Sequence, residues 1–392
     1  MADPPTRHSE KIQLPAMTGV RALAAFMVLL LHASQNFPNT LVKGALSNRG
    51  YLGVDLFFLL SGFIIAHVYL FDLVPLRARS LRIFLWHRFI RLFPAHAAVL
   101  LALVGLIVAL RSMGVDLAEP RSWSYRDLPW HFMMMHAWGT TNVAGWNAPS
   151  WSISAEWFAY LLFPAIAAFT LALSRFVALP FALLCVLAAA IVFQSLGWGL
   201  GSAWIGAPAL IRVSSEFACG VLLYRAIRID LGDLPPWVLD ALAFGSLVAF
   251  AVTASRGGDD FVLIGLLAGV IAGVSGQGAF VRAAFGNRPV VWLGEISYSI
   301  YLVHFPVLLV LRHGVNHVVR FQFAETEAMR LFLFAVSIVV VVGAASVSYY
   351  LVEHPARRRW RNAVGTIDAS PIDVMGAQAL QRAATEPVKT KP

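Results

Sequence analysis

Residues 51–71 read YLGVDLFFLLSGFIIAHVYLF. The stretch contains one acid, Asp55, and neither Lys nor Arg. As a helix rising about 1.5 Å per residue it is about 30 Å long, the thickness of a bilayer's hydrocarbon core. Comparable apolar blocks recur at about 16–37, 94–112, 151–173, 176–197, 207–227, 236–255, 259–279, 290–312 and 328–351. They predict an all-α integral membrane protein, a bundle of about ten transmembrane helices. Composition agrees. The 392 residues are 59% hydrophobic and 13% charged, against about 45–50% and about 25% in soluble domains. Too little polar surface remains to coat a water-soluble body.

Cys185 and Cys219 both lie inside apolar blocks, which excludes a disulfide framework and a four-thiolate metal site. No cleavage pattern of small residues follows the first block, so it reads as a retained helix and not a signal peptide. The chain divides into a polar segment at 1–13, a membrane domain at 14–358 and a tail at 359–392. From Asn362 that tail is polar and expected to be disordered. No further catalytic domain is expected after it, and the chemistry is expected within the membrane body.

The net charge of +9 is read as a record of topology. Basic residues gather on the segments that face the cytoplasm if both termini do, among them Arg77, Arg79, Arg82, Arg88, Arg91, Arg357, Arg358 and Arg359. Fewer lie on the opposite segments, so the expectation is both termini cytoplasmic. No long like-charge run suggests nucleic-acid binding. Residues 72–93 read as a basic cytoplasmic segment with helical spacing. Residues 113–150 read as the longest outer loop, with Trp123, Trp130, Trp138 and Trp146 as an interfacial belt.

Ionisable groups within spans cost about 2.5–3.5 kcal/mol each near the bilayer centre, so each needs a reason. Arg21 and His32 are eleven residues apart, about three turns plus 20°, and share one face with a rise of about 16 Å. A fixed cation near the inner end and a titratable base further out suit a path for an anionic cofactor. A satisfied core histidine and a snorkelling arginine would share the same stripe. Asp55, Glu156 and His304 fall at depths where they are expected to converge with His32, a carboxylate orienting the imidazole for proton abstraction. The alternative is that the carboxylates pair with buried Arg or Trp partners. Arg212 and Glu216, at i,i+4, are expected to neutralise each other. Arg88 and Arg91, at i,i+3, have the spacing of a phosphate clamp and also that of an ordinary positive-inside segment touching lipid headgroups. No His/Asp/Glu cluster has metal-ligand spacing, so no metal is expected.

Six segments carry a resemblance. GVRALAAFMVLLLHA (19–33), GYLGVDLFFLLSGFIIA (50–66), FLWHRFIRLFP (84–94), SWSISAEWFAYLLFP (150–164), WLGEISYSIYLVHFP (292–306) and YYLVEHPARR (349–358) resemble, in order, segments of the membrane-bound acyltransferase family 3, the bacterial O-antigen and exopolysaccharide O-acetylases. His354 departs from the family, which more often has Arg there. The resemblance implies a multi-pass enzyme of the bacterial inner membrane that moves an acyl group, acetyl above all, from cytoplasmic acyl-CoA to a hydroxyl of a carbohydrate or lipid-linked glycan. It implies a catalytic role for His32 with Arg21 as its partner, an essential acid at Glu156, and donor binding by Arg88 and Arg91. Asp55 and Ser61 fall in a family-like segment without a settled role. The other reading of the same stripe is a transporter of an anionic or lipid-linked sugar.

Overall fold

A computed structural model describes residues 14–39, 44, 48–114, 120–227, 234–318 and 326–361. Where these are regular they are helical, and no strand occurs among them. The segment expected at 1–13 and the polar stretch from 362 lie outside the described residues.

The helices are α1 (Pro15–Asn36), α2 (Leu52–Tyr69), α3 (Ala78–Ser112), the short α4 (Leu128–Phe132), α5 (Trp151–Ala172), α6 (Arg175–Ser195), α7 (Gly206–Ala226), α8 (Pro236–Ser255), α9 (Asp260–Val274), α10 (Ala279–Phe285), α11 (Arg288–Glu295), α12 (Ser297–Val318), α13 (Glu327–Ser348) and α14 (His354–Arg361). Among the described residues eight candidate spans are long and apolar enough to cross a membrane, and two bent pairs raise the number to ten if each pair is one span. The pairs are α9 with α10, bent by 109°, and α11 with the start of α12, bent by 63°. The first break falls at Ser275–Gly278, where Gln277 has φ 50°. Asp240 of α8 accepts from the backbone N–H of Phe280 and Val281, satisfying the donors that the new helix start exposes.

One boundary differs from the sequence reading. The basic stretch 78–93 is not a segment separate from the third span. It is the first half of the 35-residue α3, which runs on through Pro94. The reason is that Arg88 and Arg91 find aromatic and acidic partners inside the bundle, so these turns are packed and not merely solvated. Two of the loop tryptophans differ as well. Trp146 is fully buried and Trp123 nearly so, their rings meet edge-on at 5.8 Å, and Trp146 donates to the Ser124 carbonyl at 3.0 Å. They are the core of the folded segment between α3 and α5 and not a belt at the lipid surface.

Burial separates an inner group of helices from an outer one. The α2 span is 72% buried and the α1 span 61%, against 28% for α6 and for α8. The α2–α7 contact is the most extensive between two helices. A Cβ on Gly62 would collide with the Phe217 carbonyl, and one on Gly220 with the Leu59 carbonyl. Reciprocal small residues let two backbones touch, which in lipid replaces the missing hydrophobic drive with packing. Between α1, α2, α3, α5 and α12 this arrangement leaves a cavity.

Candidate active site

The cavity measures about 100 Å³ and is lined by Arg21 from α1, Ser61 from α2, Arg88 and Arg91 from α3, Glu156 and Tyr160 from α5, and Tyr298 and Tyr301 from α12, with apolar walls that include Phe57 and Phe58. Four of the six site residues expected from sequence are therefore brought together: Arg21, Arg88, Arg91 and Glu156. The expectation that the arginines and Glu156 occupy opposite ends of a path is corrected, because α3 carries its arginines into the bundle.

Glu156 Oε1 accepts from Ser61 Oγ at 2.6 Å and from Tyr160 Oη at 2.5 Å, and the two hydroxyls are 3.1 Å apart. Glu156 and Tyr160 are i,i+4 on α5, which places both on one face. Tyr298 donates to the Leu92 carbonyl at 2.6 Å and Tyr301 to the Pro149 carbonyl at 2.7 Å, so each phenol is tethered while its ring lines the cavity.

The three guanidiniums are not equivalent. Arg91 forms an ion pair with Glu353 and lies 4.9 Å from the Tyr298 ring centre. Glu353 also accepts from Ser299 at 2.8 Å and from Arg357 at 3.4 Å. Arg88 has no carboxylate partner among the described residues. It donates to Tyr69 Oη at 3.3 Å, faces the rings of Tyr69 and Tyr160, and leaves its Nε buried and unbonded. Arg21 makes no hydrogen bond or ion pair among the described residues; Arg91, Glu353, Arg357 and Glu156 are the charges nearest to it in effect. The symmetric Arg88–Arg91 clamp is thus corrected: Arg91 is committed to Glu353, and Arg21 and Arg88 are the available cations.

Asp55 lies elsewhere. Fully buried, it takes two hydrogen bonds from Arg212, Nε to Oδ1 at 2.8 Å and Nη2 to Oδ2 at 2.6 Å. Arg212 Nη1 reaches the Leu200 carbonyl at 2.9 Å and the guanidinium sits 5.1 Å from the Trp151 ring centre. Arg212 therefore pairs with Asp55 across α2 and α7, and not with Glu216, one turn further along its own helix. The bidentate fork matches a facing carboxylate better than a neighbour on the same helix.

His32 does meet His304, with ring centres 5.0 Å apart. It does not touch Asp55 or Glu156, which corrects the expected carboxylate orienter. Its Nδ1 is 2.9 Å from the Val28 carbonyl. A carbonyl only accepts, so Nδ1 carries the proton and Nε2 the lone pair. The cavity wall connects to this pair through Tyr301, whose ring centre is 5.6 Å from that of His304.

A second imidazole group lies under the segment between the third and fourth spans. His131 and His136 stack at 4.0 Å and His96 of α3 lies 6.0 Å from His136, all buried. Burial, with His96 adding, pulls His131 down to about 3. Burial and both neighbours likewise pull His136 well below the usual range. These rings are neutral packing partners, and Gly145, at φ 68°, leaves room for His131 that a Cβ would take. Among the described residues no group of three His, Cys, Asp or Glu is arranged to hold a metal ion.

Sequence reasoning did not single out Tyr160, Tyr298, Tyr301 or Glu353. Tyr160 was findable from its i,i+4 spacing to Glu156. Glu353, in the closing segment, had no local signal, because its partner Arg91 is 262 residues away.

A family model described as an acyltransferase domain matches residues 14–349. Acyltransferase MdmB of Streptomyces mycarofaciens is 28% identical over 382 residues, covering 88% of this chain and 92% of that protein. Peptidoglycan O-acetyltransferase OatA of Listeria monocytogenes is 27% identical over 340 residues, covering 77% of this chain and 50% of that protein. The chain thus spans nearly all of the first and half of the second. No solved structure matches.

Proposed function

The chain belongs to this acyltransferase family, and from that premise we propose that it carries a short acyl group, acetyl first, from cytoplasmic acyl-CoA to a hydroxyl of a glycan or other envelope or exported acceptor. The single observation that carries this reading is the cavity, which sets Arg21 and Arg88 against a hydroxyl-bonded carboxylate in the middle of the bundle. Its volume of about 100 Å³ suits a thioester end and not a nucleotide, since drug-sized ligands need about 300–1,000 Å³. Both termini lie in the cytoplasm and the bilayer is the bacterial inner membrane, a reading supported by the basic residues of α3 and α14.

His32 acts as the general base. Its Nε2 lone pair accepts the proton of the acceptor hydroxyl, the oxygen bonds to the acyl carbon, the carbon–sulfur bond breaks, and the thiolate takes the proton from His32. Arg21 and Arg88 supply positive potential where the donor's negative charge gathers, an arrangement of most effect in a dry site. Glu156 fixes Ser61 and Tyr160 and balances the guanidiniums. Asp55 keeps α2 and α7 in register through Arg212. The acceptor hydroxyl has peptidoglycan among its candidate sources, by likeness to OatA.

The test is mass spectrometry of surface glycans from cells with and without the protein, and with His32→Ala. The wild type adds acyl groups and the variant, inserted at equal level, adds none. Full acylation by His32→Ala removes His32 from the mechanism.

A further inference from the structure

His304 is fully buried on α12. Its Nδ1 is 2.6 Å from the Tyr301 carbonyl, which makes Nδ1 the donor and leaves a lone pair on Nε2. That Nε2 is buried and has no hydrogen-bond partner. An acceptor left unbonded in a core is disfavoured, and here it sits on the ring beside His32. His32 itself has a free Nε2 and is partly exposed. The two imidazoles are thus the same tautomer, one reachable and one sealed behind it.

We propose that His304 is a positioning residue whose buried Nε2 lone pair stabilises the positive charge that appears on His32 during transfer. The inference rests on the reading of His32 as the base. In the resting enzyme this lone pair belongs to a ring whose centre is 5.0 Å from that of a neutral imidazole, and it gains little. Once His32 Nε2 has taken the acceptor's proton, that neighbouring ring is an imidazolium and the lone pair lies beside a cation. The interaction strengthens as charge develops, which is the condition for lowering a barrier and not merely tightening binding. No proton passes to His304. The proton gained by His32 goes to the departing thiolate, and His304 ends as it began. Among the described residues His32 is the one titratable side chain whose charge acts on His304, and no charged group acts on His32. No carboxylate facing the pair competes for this role, and Tyr301 takes part through its backbone carbonyl.

Two variants separate this from plain packing. His304→Phe keeps a ring and loses the lone pair. His304→Asn keeps an N–H donor at the Nδ1 position for Tyr301 and loses the acceptor at the Nε2 position, which its shorter amide does not reach. Rates are measured with labelled acetyl-CoA in membrane vesicles from cells that make the protein. Both variants lower kcat about tenfold and leave KM for acetyl-CoA unchanged. Without the lone pair the His32 imidazolium is less stable, so the acid limb of the pH–rate profile moves to lower pH by about one unit. A limb that stays in place in either inserted variant overturns the proposal, as does a wild-type rate in His304→Asn. Nitrogen-15 spectra of the histidine-labelled wild type need no variant: they are to show His304 Nε2 unprotonated at pH 8, and a protonated Nε2 overturns the proposal outright. If His32→Ala retains activity, the reading of His32 fails instead, which a dead His32→Ala beside an unmoved His304→Asn limb does not imply.

Discussion

Removing Asp55 is expected to unfold the protein by stranding Arg212, and a second substitution is expected to restore it. Asp55 and Arg212 have side-chain exposures of 0% and 1% and share two hydrogen bonds. In Asp55→Ala the guanidinium keeps the Leu200 carbonyl and the Trp151 face but loses its counter-charge. Breaking a buried pair from one side costs about 3–5 kcal/mol, a factor of roughly 150–5,000 in the folding equilibrium. Replacing both partners with apolar groups of similar size removes the stranded charge, and such exchanges are often neutral or stabilising. Asp55→Leu with Arg212→Met should therefore melt within a few degrees of wild type in nanodiscs, while each single variant melts far lower or fails to insert. The double variant should also transfer acyl groups. If it is stable but inactive, Asp55 takes part in the chemistry and its assignment to the α2–α7 contact is refuted.

Arg88→Ala should weaken acetyl-CoA binding roughly tenfold or more, the loss of one charge-assisted contact, while Arg91→Ala should chiefly lower stability by leaving the buried Glu353 with only Ser299 and the more distant Arg357; calorimetry on purified variants separates the two, and unchanged affinity in Arg88→Ala removes it from the donor site. His131, held at about 3 by burial, stays neutral in the fold while the unfolded chain protonates near 6.5. Stability is therefore full above about pH 6.5 and falls as pH drops toward 3, by about 1.4 kcal/mol per unit for one such group; His131→Asn should flatten the melting-temperature profile between pH 7 and 5, and an unchanged slope refutes the assignment. Reporters fused after Trp360 and near Tyr125 should label opposite faces of the membrane; labelling of one face by both overturns the assigned topology.

The spans were legible because a bilayer imposes length and apolarity together, although the third helix begins well before its apolar block does. What was not legible depends on distant partners. Arg79, Arg82, Arg88 and Arg91 read as a solvated segment, and only Glu353, Tyr160 and Tyr298 make the same turns part of a packed helix. Arg212 read as the neighbour of Glu216, since i,i+4 spacing is visible in sequence and the approach of α2 to α7 is not. His304 was placed near His32 by depth alone, but the Val28 and Tyr301 carbonyls that fix both tautomers follow from helix geometry and side-chain rotamers. The break at Ser275–Gly278 was not legible, since the sequence reading runs one block from 259 to 279 across it.

The Asp55–Arg212 pair also has a consequence for biosynthesis. Its members are 157 residues apart in the chain. At about 5–20 residues per second, the ribosome delivers Arg212 about 8–30 s after Asp55. During that interval α2 has left the tunnel with an acid in its first turn and without the cation that will neutralise it. The carboxylate must wait for its partner, shielded by α1 or held at the insertion channel. A translational pause between α2 and α7 lengthens that wait, and rare codons there would lower the yield of inserted protein without changing a single amino acid.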